Sequence, residues 1–406
     1  MAGSIGAVLG TTYNLPNFVG ELFGLTPTET PLLSMIGGLT GGQSADGVVF
    51  TWQNYDLADA TQPAIVEGAD PVLAGRVRDE SWNVVQIFQK GVKLSYTKQA
   101  AVGDLGPYAS TRVWSIMGNQ PVGSEMDWQM RLAIEETARD VEYSFLNGTY
   151  QKPTDNNTGR KTRGLLSAIT TNVVQAGATA TPLTVTFADS GDVFTDTAHG
   201  LAVGDEIEIV TVGTGGTPIT LGTHYWIATV GSADTFQVST SDSDPVNNIL
   251  PITADSVGTW QYVKVRPVTS ALIDDLVLGA YDSGAPLRMP VIFCGGFQKQ
   301  QFSDIYGYAP EDRMIGGVNI QTIVTDFGTF GVVLDRHMPT DTILLADVSV
   351  LVPRFLPIPG KGHFFLEPLA KTGAFDVSQL YGEIGLEYGP EKWHAKITGL
   401  ETKRGI

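Results

Sequence analysis

The chain contains a single cysteine, no lysine or arginine in residues 1–75 or 164–263, and no apolar run approaching 18 residues. Each absence excludes something. A lone thiol, Cys294, rules out an internal disulfide and any multi-cysteine metal site. Lying beside the apolar run Val291-Ile292-Phe293, it reads as a core residue rather than a nucleophile. The lack of a long apolar run excludes a membrane-spanning helix. Residues 1–20 have no positively charged n-region, so no secretory signal is expected, and the chain reads as a soluble protein made in a cytoplasm. With 25 basic residues against 43 acidic ones, it lacks the basic stripe that a sequence-reading nucleic-acid binder needs.

Catalytic signatures are missing too. There is no G-x-x-x-x-G-K-[ST], H-E-x-x-H, G-x-S-x-G or glycine-rich dinucleotide fingerprint, so no cofactor is implied. The histidines His199, His224, His337, His363 and His394 are scattered, with none at ligand spacing to another, and read as structural or surface groups. Asp242, Asp244 and Asn247 faintly suggest a calcium loop but lack its glycine and distal glutamate. Asp205, Glu206 and Glu208 could supply an acid/base pair, but Glu206 and Glu208 alternate with Ile207 and Ile209, the pattern of a solvated strand face. Arg160, Lys161 and Arg163 form the densest basic cluster, a weak phosphate site at most. A secreted acidic hydrolase therefore has only scattered carboxylates behind it.

What is present is a charge map. Residues 1–75 carry seven acids and residues 164–263 carry ten, leaving 25 basic and 26 acidic residues elsewhere. A single domain ordinarily mixes its signs, so the chain is expected to consist of parts living in different electrostatic settings. At 406 residues two or three domains are expected, and the wealth of Gly, Thr and Val favours strands and turns.

Residues 1–45 read as an extended arm without a core of its own. A strand over 48–52 and another over 81–96 flank nearly thirty polar residues, far longer than an ordinary hairpin connection. That pattern suggests a two-stranded arm built to lie on a neighbour. The spacing predicts a helix over 124–146, capped by Ser124 with Asp127 and stopped by Asn147-Gly148. Its apolar stripe is Met130, Ile134, Ala138, Val141 and Phe145, with ion pairs Arg131–Glu135 and Glu135–Arg139 on another face. Residues 175–265 read as a small all-β insertion with strands near 183–187, 206–210, 225–230 and 235–239, its two ends close together. Then come a helix over 270–281, a buried strand over 289–294, a glycine-rich stretch through 317, and strands over 328–334 and 342–351. A last hairpin is expected to pair Leu380, Ile384, Leu386 and Tyr388, through Gly389-Pro390, with Trp393, Ala395 and Ile397. The fold class is α+β with an all-β insertion.

Several motifs occur in a suggestive order. Glu135-Glu136-Thr137-Ala138-Arg139-Asp140-Val141-Glu142 is followed by Arg163-Gly164-Leu165-Leu166, Thr325-Asp326-Phe327-Gly328 and Leu334-Asp335-Arg336-His337-Met338-Pro339, then Leu369-Ala370-Lys371-Thr372-Gly373. Together they resemble the major capsid proteins of tailed bacteriophages with the Hong Kong 97-type fold, nearest the branch of phage SU-ten capsid proteins. The insertion, through Phe194 to Asp205, Gly222 to Ile227 and Asp234 to Ser239, resembles a β-module recurrent in phage tail and capsid proteins.

The resemblance implies a structural virion protein and not an enzyme. It implies an N-terminal arm (1–45), an extended loop (46–95), a peripheral domain (96–174) with its spine helix (124–147), the inserted domain (175–265) and an axial domain (266–330). Residues 331–406 would return to the peripheral and axial sheet. The implied partners are other copies, in hexamers and pentamers of an icosahedral head, together with portal, scaffolding and decoration proteins and non-specifically contacted double-stranded DNA. Some members crosslink through a Lys and an Asn; no residue here is assigned that role. The intersubunit candidates are Glu21, Glu67 and Asp70, set against basic surface of a neighbour, and Arg76 and Arg78 on the loop's returning side. The −10 insertion is expected to face outward, away from DNA. The competing reading is a tail-fibre or adhesion protein whose β-module binds carbohydrate through Tyr225, Trp226 and Trp260.

Overall fold

A computed structural model describes residues 26–57, 59–62, 64–70, 75, 77–97, 125–155, 157–176, 182–215, 218–241, 244–306, 312–315, 318–371 and 373–402. The chain divides into two units. The first holds residues 1–168, 315–318 and 350–390, and the second holds 169–314, 319–349 and 391–406.

In the first unit the long strand Phe375–Glu387 organises a five-stranded sheet. It pairs antiparallel with Gln86–Ser95 over ten residues, and also with Val352–Phe355 and Phe364–Pro368. Gln43–Ser44 adds a short parallel edge on Val352–Phe355. The helix Glu125–Asn147 lies against Gln86–Ser95 and Phe375–Glu387. Its buried face is Met130, Ala133, Thr137, Val141 and Phe145 together with Glu142 and Leu146.

The expected stripe is corrected in its middle, for Ile134 is exposed. Small residues at 133 and 137 let the helix approach the sheet, and the Thr137 hydroxyl donates to the Ala133 carbonyl at 2.7 Å, so a polar residue sits in the buried stripe at no cost in unpaired groups. Ser124, the expected cap, lies outside the described residues. The Arg131–Glu135 pair forms at 3.3 Å, while the Arg139 Nε is buried without a hydrogen-bond partner.

The helix ends where two glycines meet. Gly164 N–H donates to the Gly148 carbonyl at 2.8 Å. A Cβ on Gly164 would stand 2.5 Å from the Gly148 nitrogen and 2.8 Å from the carbonyls of Leu146 and Ser144. Two motif glycines thus serve one purpose, a backbone crossing too close for any side chain.

The second unit holds a seven-stranded sheet in the order Asp312–Ile315, Val318–Thr325, Gly328–Leu334, Pro290–Cys294, Ile343–Asp347, Ala395–Thr398 and Val173–Gln175. The helix Ser270–Asp282 packs Ile273, Leu276, Val277 and Ala280 into its core, with Thr269 as N-cap. The stretch after Cys294, expected only as glycine-rich and given no element, holds the helix Gly296–Tyr306, burying Gln298 and Phe302 four residues apart. Gly295 and Gly296 mark the turn into it, and their weight masked the period that follows. Cys294 is a core residue, and burial pushes its thiol up to about 12.

The expected final hairpin does not form. Phe375–Glu387 belongs to the first unit's sheet, whereas Ala395–Thr398 pairs with Ile343–Asp347 and Val173–Gln175 in the second. Gly389 has a φ of +64° and is followed by Pro390 and a 3-10 turn over Glu391–Trp393, so the chain changes sheet where a tight turn was expected. Alternation fixes which face of a strand is buried; it does not name the partner strand.

The insertion is a closed six-stranded barrel. Its strands are Leu183–Ala188, Val193–Thr195, Glu206–Thr211, His224–Ser232, Thr235–Ser239 and Trp260–Lys264. Closure leaves no free edge, and the interior is filled by Phe187, Phe194, Phe236, Trp260 and Tyr262 among aliphatic residues. Its ends do lie together. Ala176 N–H donates to the Thr398 carbonyl, and Arg266 bridges Leu400 two residues further on.

Candidate subunit-contact surface

Val49–Tyr55 and Arg78–Val84 form a two-stranded sheet of their own, in register from Val49 opposite Val84 to Tyr55 opposite Arg78. The strand expected over 81–96 is broken at Val85. Val84 and Val85 are both buried, so the alternation slips by one and the chain passes from the hairpin into the large sheet.

The hairpin's root is firmly built. Trp52 Nε1 donates to the Gly389 carbonyl at 2.9 Å, and its ring meets Tyr388 edge-on at 4.9 Å. The buried Asn83 side chain donates to the carbonyls of Leu386 (2.7 Å) and Arg163 (3.1 Å) and accepts from the amides of Arg163 and Val84 (both 2.9 Å). Arg163 lies over both Trp82 and Tyr150, 5.1 and 4.8 Å from the ring centres, a double cation–π contact to two rings that meet edge-on at 4.7 Å. Arg160 is closed on Glu383 at 2.9 Å. Two charges of the expected phosphate cluster are therefore committed to internal contacts. Composition reveals nothing of Asn83, because a lone asparagine in a strand ordinarily reads as a weak strand former.

The far end of the hairpin is the opposite. Tyr55, Leu57, Ile65, Val66 and Val77 are between 71% and 84% exposed, and Glu67 and Asp70 are exposed among them. Arg78 donates to Gln53 Oε1 at 2.9 Å, so among the described residues it closes on a neutral amide of the opposite strand rather than on an acid. Glu21 and Arg76 lie outside the described residues. Five exposed apolar side chains and two exposed acids thus lie at or beyond the end of a hairpin whose other end is tied to the large sheet by internal contacts.

The barrel offers different chemistry from that expected. Tyr225 and Trp260 are each only 2% exposed. Both belong to the barrel core, and so two of the three aromatics proposed for carbohydrate stacking are unavailable. Asp244 accepts from the Asn247 side chain at 3.0 Å, and Asp242 lies outside the described residues. Among the described residues no group of three or more His, Cys, Asp or Glu could hold a metal ion.

Glu206 overturns its reading as a solvated strand residue, being 5% exposed. One carboxylate oxygen accepts from His224 Nδ1 at 2.7 Å and from the Thr402 hydroxyl at 2.6 Å; the other accepts from the Thr402 amide at 3.0 Å. The barrel packs its host here, so the alternating pattern faces protein and not water. His224 Nε2 lies 3.6 Å from Asp341. Burial alone would lower the ring's pKa, but Asp341 and Glu206 outweigh it and hold it at about 9. Burial raises the Glu208 carboxyl; His224 opposes that, and Asp341 and Glu206 add to it.

No helix among the described residues is long and apolar enough to cross a membrane. The profile of the SU10 major capsid protein family matches residues 5–401. No curated protein sequence matches the chain. Among solved structures, the capsid of cyanophage A-1(L) aligns over 97% of this chain and 100% of its own at 11% identity, with a TM-score of 0.52. The capsid of Myoviridae phage XM1 aligns over 95% and 97% at 12% identity and a TM-score of 0.48. The SrpI encapsulin of Synechococcus elongatus aligns over 97% and 94% at 10% identity and 0.45. At such identities the first likeness bears on fold, which is the Hong Kong 97 type with an added barrel. Taken with a profile match over nearly its whole length, the chain belongs to the SU10 major capsid protein family.

Proposed function

We propose that this structural protein tiles the wall of an icosahedral phage head as hexamers and pentamers around double-stranded DNA, and that the hairpin between residues 46 and 95 is the arm each copy lays on its neighbour. The observation that carries this is the exposed apolar tip of Tyr55, Leu57, Ile65, Val66 and Val77. Burying a Val, Leu or Ile side chain is favourable by about 1.5–3 kcal/mol in transfer terms, of which association keeps only the surplus over its entropy cost, and so many exposed apolar side chains in one connection support a surface made to be covered. Residues 1–45 are the N-terminal arm, the helix Glu125–Asn147 is the spine of the peripheral domain, and residues from 266 supply the axial domain. Glu21, Glu67 and Asp70 rest on basic surface of the adjacent copy, with Arg76 and Arg78 helping to set register. Portal and scaffolding proteins are the further partners, and the DNA is contacted without sequence preference.

The barrel points outward, because ten acids without a base in residues 164–263 would be repelled by packed phosphate. Electron cryo-microscopy of the expressed chain tests the reading. Closed shells with hairpin tips on neighbouring copies and barrels on the outer surface are expected. Fibres or monomers would overturn it, and barrels facing the lumen would overturn the orientation.

A further inference from the structure

His224 opens one barrel strand, and the groups facing it come from three places. Glu206 and Glu208 lie on the adjacent barrel strand Glu206–Thr211. Asp341 comes from the turn before Ile343–Asp347 of the host sheet. Thr402 comes from the chain's last described segment and binds Glu206 through both its amide and its hydroxyl. The same segment is tied down on both sides: Leu400 N–H donates to the Asp341 carbonyl, and Glu401 N–H donates to the Arg266 carbonyl, each at 3.0 Å. Lys264, the basic residue on the barrel's exit strand, is engaged by Asp205 at 2.5 Å. Three carboxylates therefore converge on one imidazole. A neutral ring would leave them facing one another in a site with little water.

We propose that His224 in its charged form, held between Glu206 of the barrel and Asp341 of the host, is the clasp that fixes the inserted barrel in place, and that this clasp opens when the ring loses its proton. The sign follows from linkage. A histidine whose folded-state pKa is raised contributes its full stabilisation below the unfolded value of about 6.5 and loses it as pH rises through the folded value, here about 9. Asp341 acts at the other limit. Burial opposes its charge, but His224 and Thr342 hold its carboxyl below the usual range, so its contribution is lost only in acid. The clasp is closed across neutral pH and is alkali-labile.

Hydrogen exchange on the full-length chain between pH 7 and 10, corrected for intrinsic rates, tests this. Amides of residues 399–402 and 264–266 are expected to lose protection through about pH 9, by up to about two orders of magnitude, while strand Pro290–Cys294 keeps its protection. His224→Gln should remove the step and leave the joint already loosened at pH 7. Asp341→Asn should move the step to lower pH, which decides the matter if the His224 variant does not fold. A flat wild-type profile, a step that survives His224→Gln, an unmoved midpoint in Asp341→Asn, or simultaneous loss in Pro290–Cys294 would each overturn the clasp.

Discussion

The side chain of Asn83 bonds both backbone groups of Arg163, accepting from its amide at 2.9 Å and donating to its carbonyl at 3.1 Å. One residue at the root of the hairpin thus splints the segment whose guanidinium is stacked over Trp82 and Tyr150. Asn83→Ala leaves buried backbone groups of Arg163 and Leu386 unpaired, each at about 1–3 kcal/mol. A loss of about 2–5 kcal/mol in subunit stability is expected in urea unfolding. Asn83→Asp should do no better, since it gives up both donated bonds and buries a charge.

The glycine crossing makes a second prediction. Gly164→Ala forces backbone apart at a contact of 2.5 Å and should cost at least about 1–3 kcal/mol, the range for overpacking. Gly91, in a strand with nothing within 4 Å of its virtual Cβ, is the control. Gly91→Ala should be neutral or slightly stabilising. Thermal unfolding of the two variants side by side would show whether space, rather than glycine itself, is what matters.

Glu142 anchors the start of the short helix Pro31–Met35, its two oxygens accepting from Leu32 N–H at 2.8 Å and Leu33 N–H at 2.7 Å. Glu142→Gln turns one acceptor into a donor facing a donor. Faster exchange of the Leu32 and Leu33 amides is expected, with about 1.5–3 kcal/mol lost. Unchanged protection there would show that the segment is held by other contacts.

Asp347 contributes to the acid limb, as Asp341 does. Burial would raise its pKa, but the Ser349 side chain and the amides of Arg288 (2.9 Å), Ser349 (3.0 Å) and Met289 (3.2 Å) hold it below the usual carboxylate range. A depressed carboxylate stabilises above its unfolded pKa of about 3.9 and loses that contribution as pH falls through the folded value. Asp347→Asn should therefore cost about 1.5–3 kcal/mol at pH 7 and flatten the stability profile below about pH 4.

The hairpin tip is tested by separating folding from assembly. Replacing Tyr55, Val66 and Val77 together by Ser should leave subunit unfolding nearly unchanged, because exposed positions move stability by about 0.5 kcal/mol or less. Particle yield should fall sharply. Equal yield from the triple variant would remove the tip from the contact surface.

Where the sequence was legible, one local period carried the information. Four of the six barrel strands announce themselves by alternation between glycines, and the long helix by its spacing of three and four, whereas the short strands Val193–Thr195 and Trp260–Lys264 are not among those expected. What stayed hidden depends on partners distant in the chain. Leu380 to Ile397 looks like one hairpin because both halves alternate, yet their hydrogen bonds go to residues tens to hundreds of positions away. Glu206 looks solvated because its neighbours alternate, yet Thr402 and His224 cover it. Glu142 looks polar and is buried, satisfied by the amide of Leu32, 110 positions away, whereas Thr137 is satisfied within its own helix by the Ala133 carbonyl. The closing of aromatics inside the barrel, which withdraws Tyr225 and Trp260 from any outward role, is equally a property of tertiary closure.

The neighbouring ends of the insertion have a consequence for how such a gene can change. Val173 faces Lys396 and Gln175 faces Thr398 in one parallel register; continued, that register would place position 177 opposite Leu400, and Arg266 stands there instead. The line of the edge strand is resumed as though the barrel had never interrupted it. A coding segment for residues 177–265 could be excised, or exchanged for another module whose termini meet, without changing the strand order of the host sheet, and the contacts given up would be those that Thr402 and Asp341 make to Glu206 and His224.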